Sequence, residues 1–516
     1  MAFRTISRIG LATAAIALAT TGLTAAPLGA PPAHAAGAGA DSVNVMAPLW
    51  IDDWATGGPG WSAFTGSLAV AAGQGVDAVA VDVWWGKTQP ERDRFDWAYY
   101  DKVFDAVTDA GLDLVPVMSF HQCGGNVGDT CSIPLPSWVW EPFQICGVAG
   151  WCTSAPVENY YTSEYGNVDR EAPSPWGIGA DRTLIDMRDY MEAFEAHYSA
   201  GATDYRGSIQ EITIGTGPAG ELRYPSYGAH DSKVVGDPAG YPNRGVFQSY
   251  TPAAVRAFAD WAVARYGSVA GVSAAWGIPG LSYAAISPPT DHELFISSGA
   301  YSSIAYGRDF TRWYSTSLVS HGRDVLLEGI RAFDDEFASV PLGIKIPGVH
   351  WQTMASSPIR RVPEIAAGLV HTDQAYNASS TGHGYDGIVS MVQELDAVGD
   401  GGVHPRHDLV LHFTALEMPD GREWDGAAHA YSDAATLVRW VGESASRQNV
   451  TLKGENALSG SLGSAGSPTT VGWSHIRDAF SSRLGYSGLT VLRMSDVVVS
   501  GSTARREFEG FLRDFH

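Results

Sequence analysis

Two glutamates stand where a carboxylate could be held rigidly over a cleft. Glu221 lies in GTGPAGELRYPSY (215–227), directly after the apolar run Ile209 to Ile214. An Ile- and Thr-rich run that breaks into Gly-Thr-Gly-Pro-Ala-Gly reads as a buried strand passing into a tight loop, since Gly and Pro cannot continue a ladder. Glu455 lies in GENAL (454–458), within a second short apolar run that begins at Thr451. Paired carboxylates facing one another across an aromatic-lined cleft are what glycoside hydrolysis requires. One protonates the leaving oxygen and the other acts as base or nucleophile; a separation of about 5 Å implies retention and roughly 6.5 to 9.5 Å inversion. Near Glu221, Arg223 could orient a carboxylate or a substrate, Tyr224 and Tyr227 offer flat faces for sugar rings, and the preceding glycines thin the backbone for an approaching chain end. No G-x-S-x-G elbow, H-E-x-x-H or P-loop occurs, so serine-hydrolase, zinc-protease and nucleotide-enzyme chemistries lose their main support.

Eight short apolar runs can position these groups: Val43 to Ala47, Val76 to Val83, Leu114 to Phe120, Ile209 to Ile214, Leu342 to Ile346, Leu409 to Ala415, Thr451 to Leu458 and Leu489 to Met494. Amphipathic helical patterns separate them at Trp97 to Ala110, Leu184 to Tyr198, Pro252 to Tyr266, Ser302 to Phe333, Ala434 to Arg447 and Trp473 to Leu484, with a last one from Ala504 to Phe515. Such alternation predicts an α/β chain folded as a (β/α)8 TIM barrel. Pro116 sits awkwardly for a central strand. Active sites of this fold lie on the loops after the C-terminal strand ends. Asp82-Val83-Trp84-Trp85, His121 to Asp129, Glu221 to Tyr224, Lys345 with His350-Trp351, Thr414 to Glu417, Glu455-Asn456-Ala457 and Arg493 all fall there. The connections 122–183 and 223–251 are long enough to be functional excursions that deepen a pocket. The stretches 229–245 and 378–402 read as loops.

Residues 1–35 form a basic, then apolar, Ala-rich leader ending in Ala33-His34-Ala35, the pattern of a cleaved secretory signal; 36–516 follow as one catalytic domain. A secreted, extracellular location is expected, without a membrane span. With 56 acidic against 33 basic residues, the chain is a poor partner for nucleic acid or anionic membrane. Its 17 Trp and 21 Tyr suggest a neutral polymer as partner, beyond those rings that fill the core. Cys123, Cys131, Cys146 and Cys152 fall in one short window; four cysteines allow three pairings, and local loop closure favours 123 with 131 and 146 with 152.

HQCGGNVGD (121–129) and GPAGELRYPSY (217–227) resemble the two signature segments of the β-amylases, glycoside hydrolase family 14. VDVWWG (81–86), HFTALEM (412–418) and GENAL resemble further segments of that family in the same order, across essentially the whole mature chain. The resemblance implies the eight-fold barrel and exo-hydrolysis of α-1,4-glucans (starch, glycogen, maltooligosaccharides) from the non-reducing end, with maltose released as the β-anomer by inversion. Glu221 would be the general acid and Glu455 the general base. An acid in that role has to stay protonated near working pH, so burial or a neighbouring negative charge is expected around Glu221. Asp82, His121, Asp129, Lys345, His350, Thr414, Asn456, Ala457 and Arg493 match the family's substrate contacts, with Tyr227 and Leu458 beside them. Thr414 falls on an inner loop that holds Glu221 or the sugar, and 121–129 is similar to a closing lid whose base a Cys123–Cys131 disulfide would pin, as in bacterial relatives. KTQPERDRF (87–95) is short and leans basic, against the calcium site of bacterial members, and with 23 residues after Arg493 no starch-binding module is expected. No cofactor or metal is expected to be required, and a monomer acting on glucan is expected. Two alternatives compete: a barrel glycosidase for another polymer such as xylan, or a barrel that binds glucan without cleaving it. The early product separates them.

Overall fold

The strands form where the sequence offers runs of β-branched and apolar residues short enough to cross a barrel wall. In the computed structural model, which describes residues 39–124, 131–142, 159–177, 182–226, 245–349, 361–374, 384–420, 434–464, 469–481 and 484–516, eight parallel strands close into a barrel. They are β1 Ser42–Met46, β2 Ala78–Trp84, β3 Asp113–Ser119, β4 Ile212–Ile214, β5 Leu342–Ile346, β6 Leu409–Phe413, β7 Thr451–Glu455 and β8 Tyr486–Val491. Each pairs in parallel with its chain neighbours, and β8 closes on β1 through Val45 opposite Val491. An outer helix follows each strand: α1 Pro59–Gln74, α2 Ala98–Asp109, α3 Thr183–Tyr198, α4 Ala305–Ala332, α5 Asp386–Val398, α6 Ala434–Gln448, α7 Val471–Ser481 and α8 Thr503–Phe515. The expected α/β barrel is therefore present, with strand ends shifted by a few residues.

Two helices depart from the sequence reading. α5 occupies part of the 378–402 stretch read as loop; it buries Ile388, Val389, Met391, Val392 and Leu395, a helical stripe that flanking glycines obscured. α1 buries only Phe64, Leu68 and Ala71 among small residues, too thin a stripe to stand out. Its ends are marked chemically. Pro59 opens it, the Asp53 carboxylate accepts from the Gly60 and Trp61 amides at 2.7 and 2.8 Å, and Gly75 closes it at φ 90°.

Pro116 does lie in the central strand β3, opposite Val81 of β2. Leu114 exchanges bonds with Ser208 and Gln210 on the β4 side, and strand alternation turns Pro116 the same way. On that side the ladder lapses between Leu114–Ile209 and Val117–Thr213, with one more residue spent on β4 than on β3. The missing N–H falls within this irregular stretch of the ladder.

Most aromatic rings fill the core. Tyr224, read as a sugar platform, is fully buried; it lies 4.3 Å from Tyr314 and 5.2 Å from Trp176, centroid to centroid, and donates its hydroxyl to the Tyr314 carbonyl. The connection after β4 carries helices Pro252–Tyr266 and Val269–Trp276, packed on α4 through Phe258, Trp276, Tyr306 and Trp313. Among the described residues no helix is long and apolar enough to cross a membrane. Residues 1–35, read from the sequence as a leader, the pair Cys146 and Cys152, and nearly all of 229–245 lie outside the described residues.

Candidate active site

Seven of the eight strand ends send a polar side chain to one rim, and their convergence follows from the barrel rather than from chain proximity. Lys345 is the hub. Its Nζ donates to Glu455 Oε2 at 2.7 Å, and its backbone bridges to Glu221, whose neighbour Leu222 donates its amide to the Lys345 carbonyl at 2.8 Å. The glutamates of β7 and of the loop after β4 are thus both tied to one residue of β5. Burial alone would push the Lys345 ammonium down; Glu455, with Asp82 and Glu221 further off, offsets that and holds it above its ordinary value.

Glu221 is gripped at both oxygens. Thr414 Oγ1 donates to Oε1, and Arg223 Nε donates to Oε2 at 2.8 Å from a guanidinium only 1 % exposed. The acid was expected to lie beside a negative charge or deep burial; what touches it is a cation and a hydroxyl, because the turn at Leu222 brings Arg223 back beneath the carboxylate. The glycines before it also serve another purpose than admitting substrate. A Cβ on Gly217 would fall 2.6 Å from the Glu221 carbonyl oxygen and 2.8 Å from that of Arg223, and one on Gly215 2.7 Å from that of Met118. They let the protein's own backbone fold tightly behind Glu221. Ala219, one of the pit-lining residues, takes φ 56°, a left-handed conformation that costs an L-residue roughly 1–2 kcal/mol.

Beside Lys345 and Glu455 lies a pit of about 80 Å³ whose lining includes Met46, Asp82, His121, Ala219 and Arg493 as well as these two. Asp82 on β2 accepts from Ser119 Oγ at 2.8 Å; its burial pushes its carboxyl up against the pull of Lys345 and Arg493. His121, just after β3, packs edge-on to Trp84 at 5.1 Å, and burial with the cations Arg223 and Lys345 pushes it down to about 3, so its ring is neutral at any working pH. The larger cavity, about 520 Å³, opens alongside and shares Met46, Leu49 and Arg493 with the pit.

Asn456, Ala457 and Leu458 form a short span after Glu455 that is fixed from behind. Asn456 Nδ2 donates to the Leu458 carbonyl at 3.2 Å and its Oδ1 accepts the Leu492 amide at 2.8 Å. Glu417, fully buried, accepts the Ala457 and Leu458 amides at 2.8 and 2.7 Å. Burial lifts Glu417 to about 8 although these amides oppose it. The sequence reading reached Glu417 only as the end of a strand; the signal was its place in HFTALEM, four residues after the strand's own end. The structure therefore brings together Asp82, His121, Glu221, Lys345, Thr414, Glu455, Asn456, Ala457, Leu458 and Arg493. Asp129, Tyr227 and His350 lie outside the described residues. At the edge of the pit Cys123 and Cys131 form a disulfide, while Cys123 and Ile133 exchange backbone bonds at 2.9 Å. Among the described residues no group of three or more His, Cys, Asp or Glu could hold a metal ion.

A (β/α)8 barrel whose C-terminal rim presents two carboxylates about one buried lysine is the kind of site that barrel glycoside hydrolases use. The family comparison agrees: the profile of glycosyl hydrolase family 14 matches residues 44–516, and the chain belongs to that family. A β-amylase of Niallia circulans is 36 % identical over 485 residues, covering 93 % of this chain and 71 % of its own. One from Cytobacillus firmus is 35 % identical over 491 residues, covering 94 % of this chain and 89 % of its own. The crystal structure of the catalytic domain of β-amylase from Paenibacillus polymyxa superposes with a TM-score of 0.70 at 32 % identity, over 92 % of this chain and 98 % of that one.

Proposed function

We propose that this glycoside hydrolase is exo-acting and inverting, and that it releases β-maltose from the non-reducing ends of α-1,4-glucans. The observation that carries the reading is the linkage of Glu221 and Glu455 to opposite ends of Lys345 at the mouth of the barrel. In this account Glu221 protonates the leaving glycosidic oxygen. Glu455, oriented at Oε2 by Lys345, takes a proton from the attacking water through its other oxygen. Thr414 leaves Glu221 Oε1 as the sugar arrives and later stabilises the carboxylate once its proton has gone. The neutral His121 accepts or donates one hydrogen bond to a sugar hydroxyl without adding charge, and Asp82, Arg493 and the 456–458 span hold further hydroxyls. Glucose rings are uncharged, so a site built from fixed hydrogen-bond partners suits them.

Export through the 1–35 leader, action as a monomer, and independence of calcium or any cofactor belong to the same proposal. The test is product analysis on soluble starch. Maltose as the sole early product supports the reading, whereas a ladder of oligosaccharides, or activity on xylan in place of starch, rejects it.

A further inference from the structure

Below the pit the barrel interior holds a second charged group that the proposed reaction does not use. Glu211, at the foot of β4 and 1 % exposed, receives His412 Nε2 at 2.5 Å and Lys453 Nζ at 2.9 Å. His412 belongs to β6 and Lys453 to β7, so one carboxylate ties together the three strands that lead to Glu221, Thr414 and Glu455. β5 runs between β4 and β6, and the Glu211–His412 bond crosses it at Gly343. A Cβ there would fall 2.3 Å from Glu211 Oε1 and 3.2 Å from His412 Nε2. Any residue but glycine would push the pair apart.

Stability alone does not account for this group. Buried ion pairs are often replaceable by apolar side chains at no cost, and the same barrel uses that solution on its other wall, with Met46, Ala78, Ala80 and Val115. Strand alternation gives a better reason: His412 shares a face with Thr414 and Lys453 with Glu455, each pair about 6 to 7 Å apart along the strand. A charge at that distance in the barrel interior is felt at Glu455.

We infer that Glu211 is a positioning residue for hydrolysis: it sets β6 and β7 against β4 and cancels the Lys453 charge, leaving Lys345 to govern Glu455. The inference rests on Glu455 being the base. The other charged or titratable groups facing this region are Asp82 from β2, Glu221 after β4, Lys345 from β5, His412 from β6, Glu417 after it and Arg493 after β8; all stay in place in the test.

The test is the pH dependence of kcat on soluble starch for wild type, Glu211→Gln, Lys453→Met, the double variant and Gly343→Ala, with folding checked by circular dichroism. Glu211→Gln leaves the Lys453 cation uncompensated, which favours ionised Glu455 and moves the acidic limb to lower pH. Lys453→Met leaves the Glu211 anion and moves it to higher pH. Each shift should reach about half a pH unit, and the double variant should return the limb to the wild-type position. Gly343→Ala, which breaks the bond without changing charge, should lower kcat at least tenfold and leave the limb in place. A Lys453→Met limb that stays at the wild-type pH overturns the inference, as do shifts of the same sign or a wild-type kcat in Gly343→Ala. Should Glu211→Gln fail to fold, Lys453→Met alone decides the sign. Wild-type protein that releases no maltose would remove the hydrolase reading itself, a different result from variants whose limb does not move.

Discussion

At the residue scale the account turns on which atoms each glutamate has free. Glu455 is held at one oxygen by Lys345, and Glu221 at both, by Thr414 and Arg223. Replacing either acid with Gln removes a proton-transfer step and few ring contacts. Glu221→Gln and Glu455→Gln should each lower kcat by at least about 10³-fold, with maltose still binding by calorimetry. Thr414→Val keeps the volume and deletes the hydroxyl on Glu221 Oε1; it should cost roughly 10²-fold in kcat with KM changed much less, measured by initial rates. The residues themselves were legible because each sits in a short motif next to a strand end. Their surroundings were not. An acid in need of a proton predicts burial or a negative neighbour, yet Arg223 returns through a turn whose geometry no residue type announces.

At the scale of elements the tight loop Gly215 to Gly220 decides where Glu221 points. Gly217→Ala would drive a Cβ into two backbone carbonyl oxygens, so the loop must open and carry the carboxylate with it. Its expected signature is a loss of at least about tenfold in kcat with the melting temperature down by several degrees, read by initial rates and circular dichroism. The eight strands were visible as apolar runs, and seven helices as amphipathic stretches. α5 was hidden among glycines that lie at its ends as well as inside it, and α1 buries so few large side chains that only its Pro and Gly ends betray it. Pro116 in β3 was rightly troubling, and the irregular β3–β4 ladder is what accommodates it.

For the whole molecule, burial and barrel closure turn local residues into pH-dependent stability. Glu417 is raised to about 8 in the folded protein, while in the unfolded chain it titrates near the ordinary value of 4.5. The folded state therefore holds a proton that the unfolded chain has already lost, and this stabilising contribution is complete below about pH 4.5 and disappears as pH rises through about 8. Chemical denaturation should show a fall in stability across that window which Glu417→Gln flattens. The same variant sets an amide N–H₂ against a backbone N–H of the 457–458 span and should cost roughly 1–3 kcal/mol at pH 5. Glu211 has the opposite sign: held at about 2, it contributes stability present above pH 4.5 and lost as pH falls toward 2. Neither group could be placed from sequence, since each is enclosed by the fold and meets partners 40 to 242 positions away, backbone amides for Glu417 and side chains for Glu211.

The central claim is the division of labour between Glu221 and Glu455 in an inverting, exo-acting cleavage. It is tested most directly by following the anomer released from soluble starch by ¹H NMR in the first moments of reaction. The account predicts β-maltose first, with α-maltose growing in only as mutarotation proceeds. An initial α-maltose signal, or mixed oligosaccharides, would contradict it.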